Sequence, residues 1–325
     1  MPFSSFADEE ARDTRNRRAA ARLVSLARVA TALSCAMLFW VAFLPGSCSV
    51  AARARARETD ASSSFLNSAG RIVPKTLITK YAVEEHGGRL ACVTHVLPSA
   101  AWSALAPFQL GAFFFSSKKG KKNAFASRLF WRAAHRVAGC ALFAVSLTMT
   151  FGYVFAIHRN GLHFHRHDFN SVSHDEAFSV APPLARLWRV AGGARAFEAF
   201  EHACAFWFCA TATKAVFVAA RGNRTRRKEG LVKGWVRVHR AWAIRHLAAG
   251  YSVAAQRAFV ATFHFSCRVL FFFRDAENVC AAPTAQKGIF ADALVLGTAL
   301  CVAAGEAAIR GADELDEPPP GGKRE

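Results

Sequence analysis

Three long stretches of this chain contain no Asp, Glu, Lys or Arg: 24 residues between Arg28 and Arg53, 28 between Arg89 and Lys118, and 22 between Arg136 and Arg159. A helix crosses the hydrocarbon core of a bilayer in about 20 largely apolar residues. The overall averages, 53% apolar residues and a net charge of +19 over 325 residues, would by themselves allow a basic soluble protein. Segregation of charge from apolarity along the chain decides otherwise. The expected fold class is all-α, a polytopic membrane helix bundle, and a soluble enzyme or a secreted disulfide scaffold is excluded.

The hydropathy pattern places the first span or signal anchor at 29–46, behind an Arg-rich N-terminal segment, 1–28, and ahead of a linker, 47–89. Further spans are expected at about 90–115, 133–157, 196–220 and 236–262, forming a four-helix membrane core over 90–262. A connecting segment and last span fill 263–308, giving about six transmembrane helices, and 309–325 reads as a disordered acidic tail. The fourth span carries Glu198, Glu201 and Lys214, and the fifth carries Arg240, Arg245 and Arg257. Charges at such depth are expensive and must face protein, water or ligand.

The basic surplus sits in short clusters beside apolar segments, such as Lys118 to Lys122 and Arg224 to Lys228, where phospholipid head groups are the nearest anions. The lipid bilayer is therefore the expected partner, and nucleic acid is not. The N-terminal segment, the loops 116–132 and 221–238 and the tail together hold 22 Lys and Arg, against 13 in the other loops. By the positive-inside rule both termini are expected on the cytosol-like side. The cysteines, nine in number with no Cys-x-x-Cys, read as small buried hydrophobes.

Four histidines lie near the starts of four consecutive spans: His95, His135, His202 and His239. Alternate spans run in opposite directions, so His95 is expected to share a depth with His202, and His135 with His239 near the basic face. A b-type haem held in a helix bundle needs two imidazoles facing each other from different helices at one depth. Haem b at one or both pairs is therefore the leading cofactor expectation. Arg136 and Arg240 directly follow His135 and His239, where a guanidinium can pair with a haem propionate. The bland alternative is that His-Arg at a helix mouth meets lipid phosphate, and a lone histidine such as His202 can be a helix-packing donor.

The fifth span adds a stripe: His239, His246, Arg257 and His264, spaced by 7, 11 and 7, point to one side at 100° per residue. With Arg245 these residues are candidates for a polar stripe or anion site, and Glu198 or Glu201 are candidate partners for Arg257. His163, His165 and His167 could converge on a metal from an extended strand, the alternative being an ordinary solvated loop. No Walker loop, dinucleotide-binding glycine pattern or nucleophile elbow occurs in a plausible setting.

His135-Arg136-x-x-Gly139, then His239-Arg240-x-Trp242-x-x-Arg245 with Arg257 further on, and Pro107-x-Gln109-Leu110 after His95 resemble the multi-pass membrane proteins grouped as domain of unknown function 2306. The resemblance covers about residues 90–260 and implies a fold and topology but no reaction. Ala106 and Ala243 depart from that pattern, and His202 matches none of its motifs. The placement of the histidines separately resembles two-haem b-type transmembrane cytochromes, which implies electron transfer from a small-molecule or protein electron donor. The competing expectation is a non-haem membrane transporter or a lipid- or anion-interacting protein.

Overall fold

A computed structural model describes residues 3–43, 88–115, 124–160, 193–229, 232–270 and 283–316, and no strand occurs among the described residues. Six helices follow in chain order. They are α1 (Phe3–Phe43), α2 (Gly88–Ala91, a π-helical turn Cys92–Val96, then Leu97–Phe115), α3 (Ala124–Phe151, ending in π-helical Gly152–His158), α4 (Ala194–Glu229), α5 (Val232–Leu270) and α6 (Pro283–Asp316).

Four of these contain a stretch long and apolar enough to cross a membrane: Asn16–Val41, Phe130–His158, Arg195–Gly222 and Ile289–Leu315. Large apolar side chains on them face outward, with Val137 71% and Phe206 74% exposed. Exposing such surface to water costs about 25 cal/mol per Å², whereas acyl chains receive it without that cost. α2 and α5 are not among these four. Both bury polar residues against their neighbours: Ser103 and Gln109 on α2, and Arg240, His246, Ser252 and Gln256 on α5.

The central core brings together Trp102 of α2, Leu142 of α3, Phe208 of α4, Leu247, Tyr251, Ala254 and Ala255 of α5, and Cys301 of α6, with Ala30, Leu33 and Met37 of α1 against them. The core thus draws on all six helices, where the sequence pattern suggested one built from spans two to five. Ser34 and Tyr251 share a buried 2.9 Å hydrogen bond that ties α1 to α5. Small residues allow α5 and α6 to approach closely. A Cβ added at Gly297 would stand 2.9 Å from the Ser252 carbonyl and the Gln256 amide, and the Gln256 side chain donates to the Phe290 carbonyl at 2.9 Å.

Three boundaries differ from the sequence reading. The Arg-rich segment and the first span are one continuous helix, α5 runs on to Leu270, and α6 runs to Asp316 and so takes in part of the expected tail. The last extension has a physical cause: Asp313 receives Arg237 at 2.8 Å and Arg240 at 3.1 Å, which ties this end of α6 to α5. Cys92 is disulfide-bonded, correcting its reading as an inert buried hydrophobe, while Cys35, Cys140, Cys204, Cys209 and Cys301 are free thiols. The linker, the His163, His165 and His167 run and the last residues of the tail lie outside the described residues, as does the His264 side chain.

Candidate functional site

α5 is sandwiched between α4 and α6, and its polar side chains divide accordingly. At 100° per residue His239, His246 and Arg257 point one way and Ala248 points the opposite way. His239 Nδ1 lies 2.9 Å from the Ala215 carbonyl and His246 Nδ1 lies 3.1 Å from the Phe208 carbonyl, both on α4. Arg257 lines a cavity together with Glu201, again on α4. The α4 partners step back along the chain as the α5 residues advance, the register of two antiparallel helices. On the other side, a Cβ at Gly305 of α6 would stand 3.0 Å from Ala248.

His246 is fully engaged as a structural residue. Its Nδ1–H donates to the Phe208 carbonyl, and its Nε2 accepts the Trp102 indole N–H at 3.3 Å and lies 3.0 Å from Ser146 Oγ. Trp102 and Phe208 flank the ring at centroid distances of 6.0 and 4.5 Å. A buried imidazole satisfied at both nitrogens holds three helices in register.

His135 and His239 line one cavity of about 500 Å³ between α3, α4 and α5, with Arg136, Gln109 and Gly139 also in its wall. With Nδ1–H donated to the Ala215 carbonyl, His239 keeps its Nε2 lone pair. A backbone carbonyl bonded to one ring nitrogen in this way fixes the orientation of the imidazole and of its other nitrogen. His135 Nδ1 is buried without a hydrogen-bond partner among the described residues, and its backbone carbonyl accepts from Gln109 Nε2 at 3.0 Å. The Gln109 amide lies 3.7 Å from where a Cβ on Gly139 would sit, so residue 139 leaves it room. Apart from His246, the remaining wall is largely apolar, including Leu142, Phe143, Val216, Val218 and Trp235.

Arg240 does not share that cavity. Consecutive residues diverge by 100° on a helix, so while His239 turns to α4 the Arg240 guanidinium reaches Asp313 on α6. Arg245 likewise makes a bidentate pair with Glu306 at 2.6 and 3.1 Å and lies over the Trp242 ring at 5.2 Å. Arg257 stacks on Phe290 at 4.4 Å and Trp40 at 5.3 Å. Arg257 also lines a second cavity.

That second cavity, about 210 Å³, is lined by His95, Tyr153, Glu201, Gln256 and Arg257 among others. His95 Nδ1 lies 3.0 Å from the Met149 carbonyl, so its Nε2 is likewise the unengaged nitrogen. His202 is not among the residues that line this cavity. His202 Nδ1 lies 2.7 Å from the Tyr153 hydroxyl, and its ring stands at 89° to that of His158 with centroids 4.6 Å apart. His158, Glu198 and His202 offer ligand atoms that all lie within 4.8 Å of one another.

Sequence reasoning passed over His158 and Tyr153. Each π segment, Cys92–Val96 with His95 and Gly152–His158 with His158, winds in an extra residue per turn and rotates its side chains away from the α-helical phase. The available signal was the Glu198 and His202 spacing of one helical turn. No family model, no curated protein and no solved structure matches the chain.

Proposed function

We propose that this chain is a six-span membrane protein that carries a b-type haem between His135 and His239 and works in electron transfer. The observation that carries the reading is the shared cavity of about 500 Å³ onto which both histidines open from different helices. Its size falls within the range of about 300–1,000 Å³ usual for cofactor sites. The histidine roles follow from the local bonds: His239 is oriented through its Nδ1 by the Ala215 carbonyl, and Gln109 holds the backbone at His135. Arg136, exposed at the cavity wall, is the propionate partner, since Arg240 is committed to Asp313. A bound haem supplies one-electron redox chemistry. Of the positions that resemble domain of unknown function 2306, Gln109, His135, Arg136, Gly139 and His239 line this cavity, whereas Pro107, Leu110, Arg240, Trp242, Arg245 and Arg257 do not.

In the six-span topology α2 and α5 cross as inner helices, with the basic loops 116–132 and 221–238 and both termini on the cytosol-like side. The Cys92 disulfide supports this, because it lies at the opposite end of α2 from the basic loop and disulfides persist on oxidising faces. The test is the visible spectrum of detergent-purified protein expressed with haem supply. A sharp reduced-minus-oxidised band that disappears in both His135→Ala and His239→Ala supports the reading, and a colourless protein without extractable haem refutes it.

A second reading, a non-haem transporter or anion-interacting protein, rests on Arg257. It lines the 210 Å³ cavity with His95 and Glu201. Haem-free protein that binds an anion, with binding lost in Arg257→Leu, would favour it.

A further inference from the structure

We propose that His158, Glu198 and His202 form a site for a zinc-class divalent ion at the end of the bundle away from the His135 and His239 cavity. Two imidazoles and one carboxylate are a ligand set that zinc accepts with a fourth position left open to water or a small ligand. Glu198 and His202 are one turn apart on α4 and so lie on the same face, and His158 reaches them from the end of α3. Their ligand atoms lie within 4.8 Å of one another, and the His158 and His202 rings meet edge to face at 89° with centroids 4.6 Å apart. A tetrahedral ion with bonds of about 2.0 Å sets its ligand atoms about 3.3 Å apart, so side-chain rotation has to bring these atoms closer by up to about 1.5 Å.

The surroundings are arranged as ligands require. With Nδ1–H of His202 donated to the Tyr153 oxygen at 2.7 Å, Nε2 is presented to the ion in a fixed ring orientation. The π-helical close of α3 sets His158 in place. Its last turn is held by Asn160 Nδ2 donating to the Ala156 carbonyl at 2.9 Å and by the Arg159 amide donating to Val154. Gly152 makes that close possible, since a Cβ there would stand 2.5 Å from the Thr94 carbonyl in the π turn of α2. π turns recur at functional sites because they re-aim side chains. Tyr153 also lines the 210 Å³ cavity with His95, Glu201 and Arg257, so the ligand sphere adjoins an interior space of the protein.

The site is independent of the haem reading, because its readout is metal content and not colour. Full-length protein in detergent is stripped with a chelator, reloaded with Zn²⁺ and desalted, and bound metal is counted by mass spectrometry, with Co²⁺ absorption as a probe of coordination. The expected result is one ion per chain in the wild type, its loss in His158→Ala and His202→Ala, and weakening by at least tenfold in Glu198→Gln. Tyr153→Phe should weaken binding by about 10–100-fold while leaving the stoichiometry intact. Monodisperse elution and helical circular dichroism of Glu198→Gln and Tyr153→Phe separate lost ligation from lost fold. A wild type that retains no metal overturns the proposal. So does metal that persists unchanged in His158→Ala and His202→Ala but disappears when His163, His165 and His167 are replaced.

Discussion

The two ends of the bundle carry similar numbers of histidines and use them differently. At one end His135 and His239 open onto a single cavity with a largely apolar wall. At the other, His95 turns to the Met149 carbonyl beside a smaller cavity that also holds Glu201 and Arg257, while His202 joins Tyr153 and His158. The first pair sits on regular α-helix, where 100° per residue carries over from sequence to space. The second end contains both π turns, and each breaks that arithmetic. A histidine pair is thus only as predictable as the helical phase beneath it.

The comparison breaks completely if the two ends do not lie on opposite faces of a membrane. Cysteine labelling at residues 118–122 and 224–228 should report the same face for both, opposite to that of a label beside Arg159. Labels on opposite faces at the first two positions would dismantle the topology and the pairing of His135 with His239.

Next in size is the spectral test of the ends against each other. His135→Ala and His239→Ala should each remove the haem band entirely, whereas His95→Ala and His202→Ala should leave it in place, because they line other spaces. Equal loss in all four variants, with the fold intact by circular dichroism, would erase the distinction between the two ends.

A third contrast concerns the α6 side of α5, which anchors the histidine seam from behind. Asp313→Ala removes one partner of Arg240, only 9% exposed, and should cost about 3 kcal/mol in detergent unfolding, as expected for one half of a buried pair. Glu306→Ala should cost less, about 1 kcal/mol, because Arg245 and Glu306 are about a third exposed and Trp242 still covers the guanidinium. A larger loss from Glu306→Ala would invert this ranking.

The smallest expected effect lies midway between the ends, at His246. Ser146→Ala removes one neighbour of its Nε2 but leaves the Trp102 indole N–H, so the cost should be about 1 kcal/mol with no change in any haem band or metal content. A spectral change in Ser146→Ala would show that the seam couples the two sites.

The sequence by itself determined the class and most of the helices. Charge-free runs of more than twenty residues leave few options besides membrane-crossing helices, and the 7-residue step from His239 to His246 is enough to put both on the face that meets α4. It also marked Arg257 as a residue needing cover, since a charge at that depth is costly wherever it occurs. Tertiary structure alone decided the partners. Whether Arg240 serves a cavity or Asp313 depends on which helix packs on the next face of α5, 73 residues further along the chain. The meeting of His202 with Tyr153 and His158 involves the π-helical end of α3, which no periodicity reveals, because an inserted residue alters rotation without altering hydrophobic pattern. The place of α1 and α6 in the core follows from the small residues that let α6 approach and from Ser34 reaching Tyr251. These are contacts between distant segments, set by surface shape, and local sequence statistics do not encode them.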